Sequence, residues 1–148
     1  MTSTKATAAD RIAADVRQLT EPIHMAVGQR LVTHDPLLDQ LREACQPGGG
    51  VPGEARRSTP GSRPPARLDP LDALAFIYVG IAEWRVRLCI GAVPRDADWQ
   101  KEVLRLLVEK SSKLVPDMAE WLRVEVNEWW RDAAVHSGWN PHDLLKLR

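Results

Sequence analysis

The sequence has little cysteine, few aromatic residues other than tryptophan, no net charge and no long apolar run. Its two cysteines, Cys45 and Cys89, stand far apart and form no C-x-x-C pair, which argues against a zinc ribbon or a dithiol redox motif. With 20 Lys and Arg against 20 Asp and Glu, the chain has no global attraction for DNA or acidic membranes, so such binding would need a local patch. No apolar run reaches the roughly 18 residues of a membrane span. The start, MTSTKATAAD, lacks the apolar stretch of a signal peptide. These features lead us to expect a cytoplasmic protein with reduced thiols.

What is present points to helices. The 148 residues suit one domain with one core. Six Trp stand beside a single Tyr and a single Phe. Five of the Trp follow residue 98, so the best-anchored part of the core is expected in the C-terminal half. Thr7 and Asp10 have the spacing of a capping box, and Ile12, Val16, Leu19 and Ile23 then share one helical face. Pro22 ends this helix near Thr20. Residues 21–34 read equally as loop, short helix or weak hairpin. A second short helix is expected to be capped by Asp35 and opened by Pro36, with Leu37, Leu38, Leu41, Ala44 and Cys45 inward. Pro47 and the glycines at 48–50 stop it.

Residues 46–67, QPGGGVPGEARRSTPGSRPPAR, hold one sizeable apolar side chain, Val51, and four arginines against Glu54 alone. Such a composition buries too little surface to offset its ordering entropy, so it reads first as a tether. A nucleic-acid arm and a proline-rich docking peptide are the functional alternatives. The second lacks P-x-x-P spacing at Pro64 and Pro65.

Three long helices follow. The first is expected over 69–90, capped by Asp69, opened by Pro70 and closed by Gly91, with Leu74, Ile77, Ile81, Trp84 and Leu88 on one face. From Leu71 to Ala82 its only charge is Asp72, which predicts the most buried, central helix. Gly80 within it suggests a close helix crossing. The second spans 96–114, capped by Asp96, with Trp99, Val103, Leu106, Leu107 and Leu114 inward. The third runs from Pro116 to about residue 137, with Met118, Leu122, Val126, Trp129 and Ala133 inward, and Gly138 ends it. The tail after Trp139 reads as a turn that folds Trp139 back.

No catalytic constellation stands out. His24 with His34, and His136 with His142, lack the i, i+4 spacing of a helical metal site. No G-x-S-x-G is present, and the triple glycine lacks the G-K-[ST] that cradles phosphates. Cys45 on an apolar face reads as packing. The carboxylate pairs Glu125 with Glu128 and Asp117 with Glu120 read as solvated helix surface. We therefore expect no enzyme, cofactor, metal or small-molecule substrate. Trp129 and Trp130 are adjacent and point about 100° apart on a helix. Trp130 either packs beneath the tail or tether, or stands exposed as an anchor for a protein partner together with Trp139.

Four stretches carry a resemblance: LTEP at 19–22, THDPLLDQLREA at 33–44, GSRPPARLDPLDAL at 61–74 and WWRDAAVHSGW at 129–139. They resemble a family of small uncharacterised proteins of actinobacteriophages and related prophages, a domain-of-unknown-function family. The resemblance implies a phage-encoded origin and transfers no functional residue. Longer members continue into a Cys-rich, zinc-ribbon-like end that has no counterpart here, which sets aside a zinc-mediated role. It also implies that residues 61–67 are partly ordered, with Arg63 and Arg67 near Asp69 or Asp72.

The resulting expectation is an all-α fold: a small bundle of three long helices, one or two short N-terminal helices and a Pro/Gly/Arg-rich insert. Its segments are 1–45, 46–67, 69–138 and 139–148, within one domain. The expected function is non-enzymatic binding of a protein partner, or self-assembly. One alternative is an accessory nucleic-acid role using Arg56, Arg57, Arg63 and Arg67 with Lys101, Arg105, Lys110 and Lys113. Another is a virion or assembly component.

Overall fold

The structure, a computed structural model, describes residues 6–47 and 68–148. Among these, six helices and one hairpin follow in order: α1 (Ala8–Thr20), β1 (Ile23–Val27), β2 (Arg30–His34), α2 (Leu37–Ala44), α3 (Leu68–Arg87), α4 (Trp99–Ser111), α5 (Pro116–His136) and α6 (Pro141–Leu145). The fold is therefore mostly helical rather than all-α. The hairpin pairs Ile23 with His34 and Val27 with Arg30, antiparallel. Its two-residue turn opens on Gly28 at φ +64°, a conformation that suits glycine. The arginines at 56, 57, 63 and 67, and any contact of the last two with Asp69 or Asp72, lie outside the described residues.

The Thr7 hydroxyl accepts from the Asp10 N–H, and the Asp10 carboxylate accepts from the Thr7 N–H, each at 3.1 Å. This is the expected capping box of α1. Three other caps differ from expectation. At α2 the capping position is Pro36, with no side-chain cap; Gln40 Nε2 instead donates to the Asp35 carbonyl at 2.6 Å. Asp69 lies inside the first turn of α3. At α4 the cap is Asp98, which accepts from the Lys101 N–H at 3.3 Å, not Asp96.

The two longest helices end alike. At α5, Gly138 takes φ +91°, with Gly138 N–H donating to the Val135 carbonyl and Trp139 N–H to that of Ala134. At α3, Cys89 takes φ +54°, with Cys89 N–H donating to Val86 and Ile90 N–H to Arg85. Both are Schellman closures. The second puts a β-carbon where glycine fits best and ends α3 before Gly91.

The core is continuous from Ile12 in α1 to Leu144 in α6. It makes the segments before and after residues 48–67 one packed unit. Its centre is α5, which packs against α1, α2, α3 and α6. This corrects the expectation that α3 is central. Helix α3 buries Ala73, Ile77, Ile81 and Trp84 against α4 and α5, while Leu71, Phe76, Tyr78, Val79 and Val86 remain exposed.

Gly80 does mark a close crossing. A β-carbon there would lie 2.6 Å from Trp129 Cζ2 and 2.8 Å from Cε2. Trp129 is 1% exposed, so its ring is held within a close-packed interior. Gly80→Ala should therefore lose about 1 to 2 kcal/mol of stability in urea unfolding. An approach of 2.6 Å puts the overpacking cost in the upper part of its usual range, about 2 to 3 kcal/mol, and improved helix propensity returns about 1. Equal or greater stability would refute the crossing. Conversely, Cys89→Gly should raise stability by about 1 kcal/mol, because the left-handed conformation penalises a side chain by roughly that amount. A drop in the unfolding midpoint would contradict this account.

Candidate interaction surface

Tryptophan placement decides first what can bind. Trp130 is 1% exposed. Its Nε1 donates to Gln18 Oε1 at 2.9 Å, and that oxygen also accepts from Arg148 Nε at 3.2 Å. Gln18 Nε2 donates to the Leu144 carbonyl at 2.9 Å. Buried Asp15 pairs with Arg148 and accepts from Asn127 Nδ2 at 3.2 Å. Trp130 thus packs beneath the C-terminal tail and holds it to α1. The reading of Trp130 as an exposed partner anchor is corrected: its ring is enclosed and its N–H is already satisfied. Trp139 folds back half-buried, donating to Gln40 Oε1 at 2.8 Å and meeting His34 edge-on at 5.0 Å between centroids.

The basic positions of α4 divide into two groups. Lys101 Nζ lies 2.9 Å from Asp39 Oδ2 and 4.0 Å from Asp98 Oδ2. Arg105 pairs with Glu102 one turn away. Lys110 and Lys113 are exposed at the far end of the helix. The four do not converge into one cationic face, because the first two have their charge matched by carboxylates.

Lys101 belongs to a cluster that joins α2 to α4. Arg42 grips Asp98 with two nitrogens, at 2.6 and 3.1 Å, and also donates to Gln100 Oε1 and, at 3.3 Å, to Asp39. The Arg42 hydrogen bond holds the Asp98 carboxyl below its ordinary range, and Asp98 in turn raises the Arg42 guanidinium. Asp98 therefore caps α4 and clamps α2 with one side chain.

A second cluster joins α3 to α5. Trp84 and Trp121 meet edge-on at 5.0 Å. Glu125 accepts from both indoles, at 3.0 Å from Trp121. The Arg87 guanidinium sits over both rings, at 4.7 and 4.3 Å from their centroids. Glu125 is thus a structural acceptor. Of the other carboxylates considered from the sequence, Glu120 is drawn below its usual range by its hydrogen bonds from Arg123. Burial pushes the Cys45 thiol up, away from a nucleophilic thiolate. A shallow depression is lined by Asp69, Asp72, Asp132 and His136. Among the described residues, no group of three or more His, Cys, Asp and Glu is placed to hold a metal ion.

Among the described residues, the element with the most exposed large apolar side chains is α3. Tyr78, Val79 and Val86 are 53, 52 and 71% exposed, with Ala82 between Val79 and Val86 and Ala75 one turn before Tyr78 and Val79. With Glu83 and Arg87 at its edge, this face forms a shallow groove. Phe76, 51% exposed, flanks it. The only Phe and the only Tyr of the chain are thus each about half exposed, the Tyr78 ring tilted against Trp99 of α4 at 5.2 Å between centroids, while Trp84, Trp129 and Trp130 fill the core. An exposed aromatic and aliphatic stripe on one helix is a candidate docking surface. Its sequence signal was the near absence of charge from Leu71 to Ala82. That signal reads equally as burial within the chain.

Among known proteins, a family of domains of unknown function, DUF7341, matches residues 5–136. This span covers α1 to the end of α5. No curated protein and no solved structure matches the chain. Among the described residues, no helix is long and apolar enough to cross a membrane.

The Arg42–Asp98 clamp makes a pH prediction. The Asp98 carboxyl is depressed in the folded state, so its contribution is complete above the unfolded carboxylate pKa of about 4 and fades as pH falls through the folded value. Asp98→Asn keeps a good cap but removes the charge. It should cost about 1 kcal/mol at neutral pH, allowing for partial exposure of the pair. In acid unfolding, the wild-type and variant curves should converge towards low pH. A constant gap between them would show that the ion pair is not the source.

Proposed function

We propose that this chain, which belongs to the DUF7341 family of domains of unknown function, is a non-enzymatic interaction protein that works through the outer face of α3. The observation that carries this reading is the apolar character of α3 on two opposite faces. Among the described residues, one face packs against α2, α4 and α5. The other presents Val79, Val86 and the half of Tyr78 not packed against Trp99, with Phe76 at its flank, to water. Removing such a surface from water contributes roughly 25 cal/mol per Å², and partially exposed aromatic rings are favoured anchors at interfaces.

The phage or prophage origin is part of the same proposal. It rests on the resemblance of residues 61–74 and 129–139, and the proposed setting is the host cytoplasm. The charge pairing of Lys101 and Arg105 leaves the nucleic-acid reading with less support than the apolar face lends to a protein partner.

Capture experiments with tagged wild-type protein and a Val79→Glu/Val86→Glu variant test this. Both substituted positions are on the exposed face, so the variant should keep the wild-type circular dichroism and unfolding midpoint within about 0.5 kcal/mol per site. Proteins, or untagged copies of the chain, retained by the wild type should be lost from the variant. Equal retention by both would sink the proposal. A duplex or single-stranded DNA retained at about 50 mM salt and released at higher salt would favour the nucleic-acid role instead.

A further inference from the structure

The residues of this face have an order that narrows the choice of occupant. Leu71, Ala75, Tyr78, Val79, Ala82 and Val86 succeed one another at spacings of 4, 3, 1, 3 and 4. That series is the same read in either direction. A twofold axis through the midpoint of Tyr78 and Val79, perpendicular to the helix, therefore maps the stripe onto itself in an antiparallel copy. Leu71 comes level with Val86 of the second copy, Ala75 with Ala82, and Tyr78 with Val79. Large side chains meet large ones across the seam and small ones meet small ones. The two alanine levels allow close approach of the helix backbones. Self-complementarity under a twofold axis is what an isologous dimer requires of its surface.

Charge along the helix favours the same arrangement. Asp69 lies in the first turn of α3, and Arg85 and Arg87 lie in the last. Asp72 follows Asp69 on the exposed side. In an antiparallel pair the acidic end of each helix lies level with the basic end of the other, and the helix dipoles are opposed. A parallel pair would stack Arg85 and Arg87 on their counterparts. Glu83 stands at the rim of the groove and keeps its hydration.

The size of the patch sets the strength. Half-exposed aromatic rings contribute on the order of 100 Å² each, and the aliphatic residues bring the patch to about 400 to 500 Å² per copy. Two copies would then bury about 800 to 1,000 Å² in total, the low end for a specific interface. That area fits a reversible dimer better than an obligate one.

We propose that the chain forms a twofold antiparallel homodimer through α3, with the axis between Tyr78 and Val79. This rests on the interaction reading above and names a second copy of the chain as the partner. Sedimentation velocity of the full chain from about 1 to 200 µM tests it. The mass should rise with concentration from 16.6 kDa towards twice that value. Val79→Glu places two carboxylates side by side at the axis and should hold the protein at the monomer mass throughout, with its circular dichroism unchanged.

Cysteine cross-linking in a Cys89→Ser background tests the geometry. Val79→Cys should link to its own counterpart under mild oxidation. Val86→Cys should not, because antiparallel pairing separates the two copies of residue 86 by 15 positions, roughly 22 Å. Efficient linking at residue 86, or a dimer that Val79→Glu leaves intact, would overturn the arrangement. A monomer mass at every concentration would overturn self-association. In that case, loss of another captured protein from the Val79→Glu/Val86→Glu variant would leave the wider interaction reading standing.

Discussion

The contact on which the rest of the structure depends is the crossing of α3 and α5 at Gly80. The Trp129 ring occupies the space that a side chain at position 80 would need. This notch sets how closely the helices approach and fixes the rotation of α3 about its own axis. Once Gly80 faces Trp129, Ile77, Ile81 and Trp84 turn inward. The helix period then sends Ala75, Val79, Ala82 and Val86 outward. The apolar outer stripe is a geometric consequence of the crossing. The Trp84–Glu125 hydrogen bond and the Arg87 guanidinium over Trp84 and Trp121 hold the same rotation from the other end of the crossing.

Around this centre, polar groups are used mainly for attachment. Asp98 caps α4 and clamps Arg42 of α2. Gln18 and Asp15, buried on α1, tie in Trp130, Asn127 and Arg148. A buried carboxylate is costly unless it is paired, and Asp15 meets that condition only because the last residue of the chain returns to it. These ties explain why Trp130 and Lys101, which suggest binding when read singly, are engaged inside the fold. Among the described residues, α3 carries the largest group of exposed large apolar side chains.

Much of the helical framework was legible in the sequence. The Thr7 capping box, the inward face of Leu37, Leu38 and Leu41, and the inward face of Leu122, Val126 and Trp129 follow from local spacing, which local physics enforces. The hairpin at 23–34 was less legible because two five-residue strands carry little periodic signal. The cap of α4 was misplaced by two residues because Asp96 and Asp98 are equally good caps alone, and the choice between them rests on Arg42, 56 residues away.

The sequence by itself determined that α3 would be a long helix almost without charge, from its composition between Leu71 and Ala82. It also suggested a close helix crossing at Gly80, which the Trp129 ring then occupies. It could not determine whether both apolar faces of α3 would be covered within the chain, because periodicity records that a face is apolar and not what lies against it. The tertiary structure decided that α5, and not α3, occupies the middle. Trp129 and Trp130, pointing about 100° apart, let α5 pack towards α3 on one side and α1 on the other. Among the described residues, α3 packs on one side against α2, α4 and α5, so its second apolar face is left at the surface.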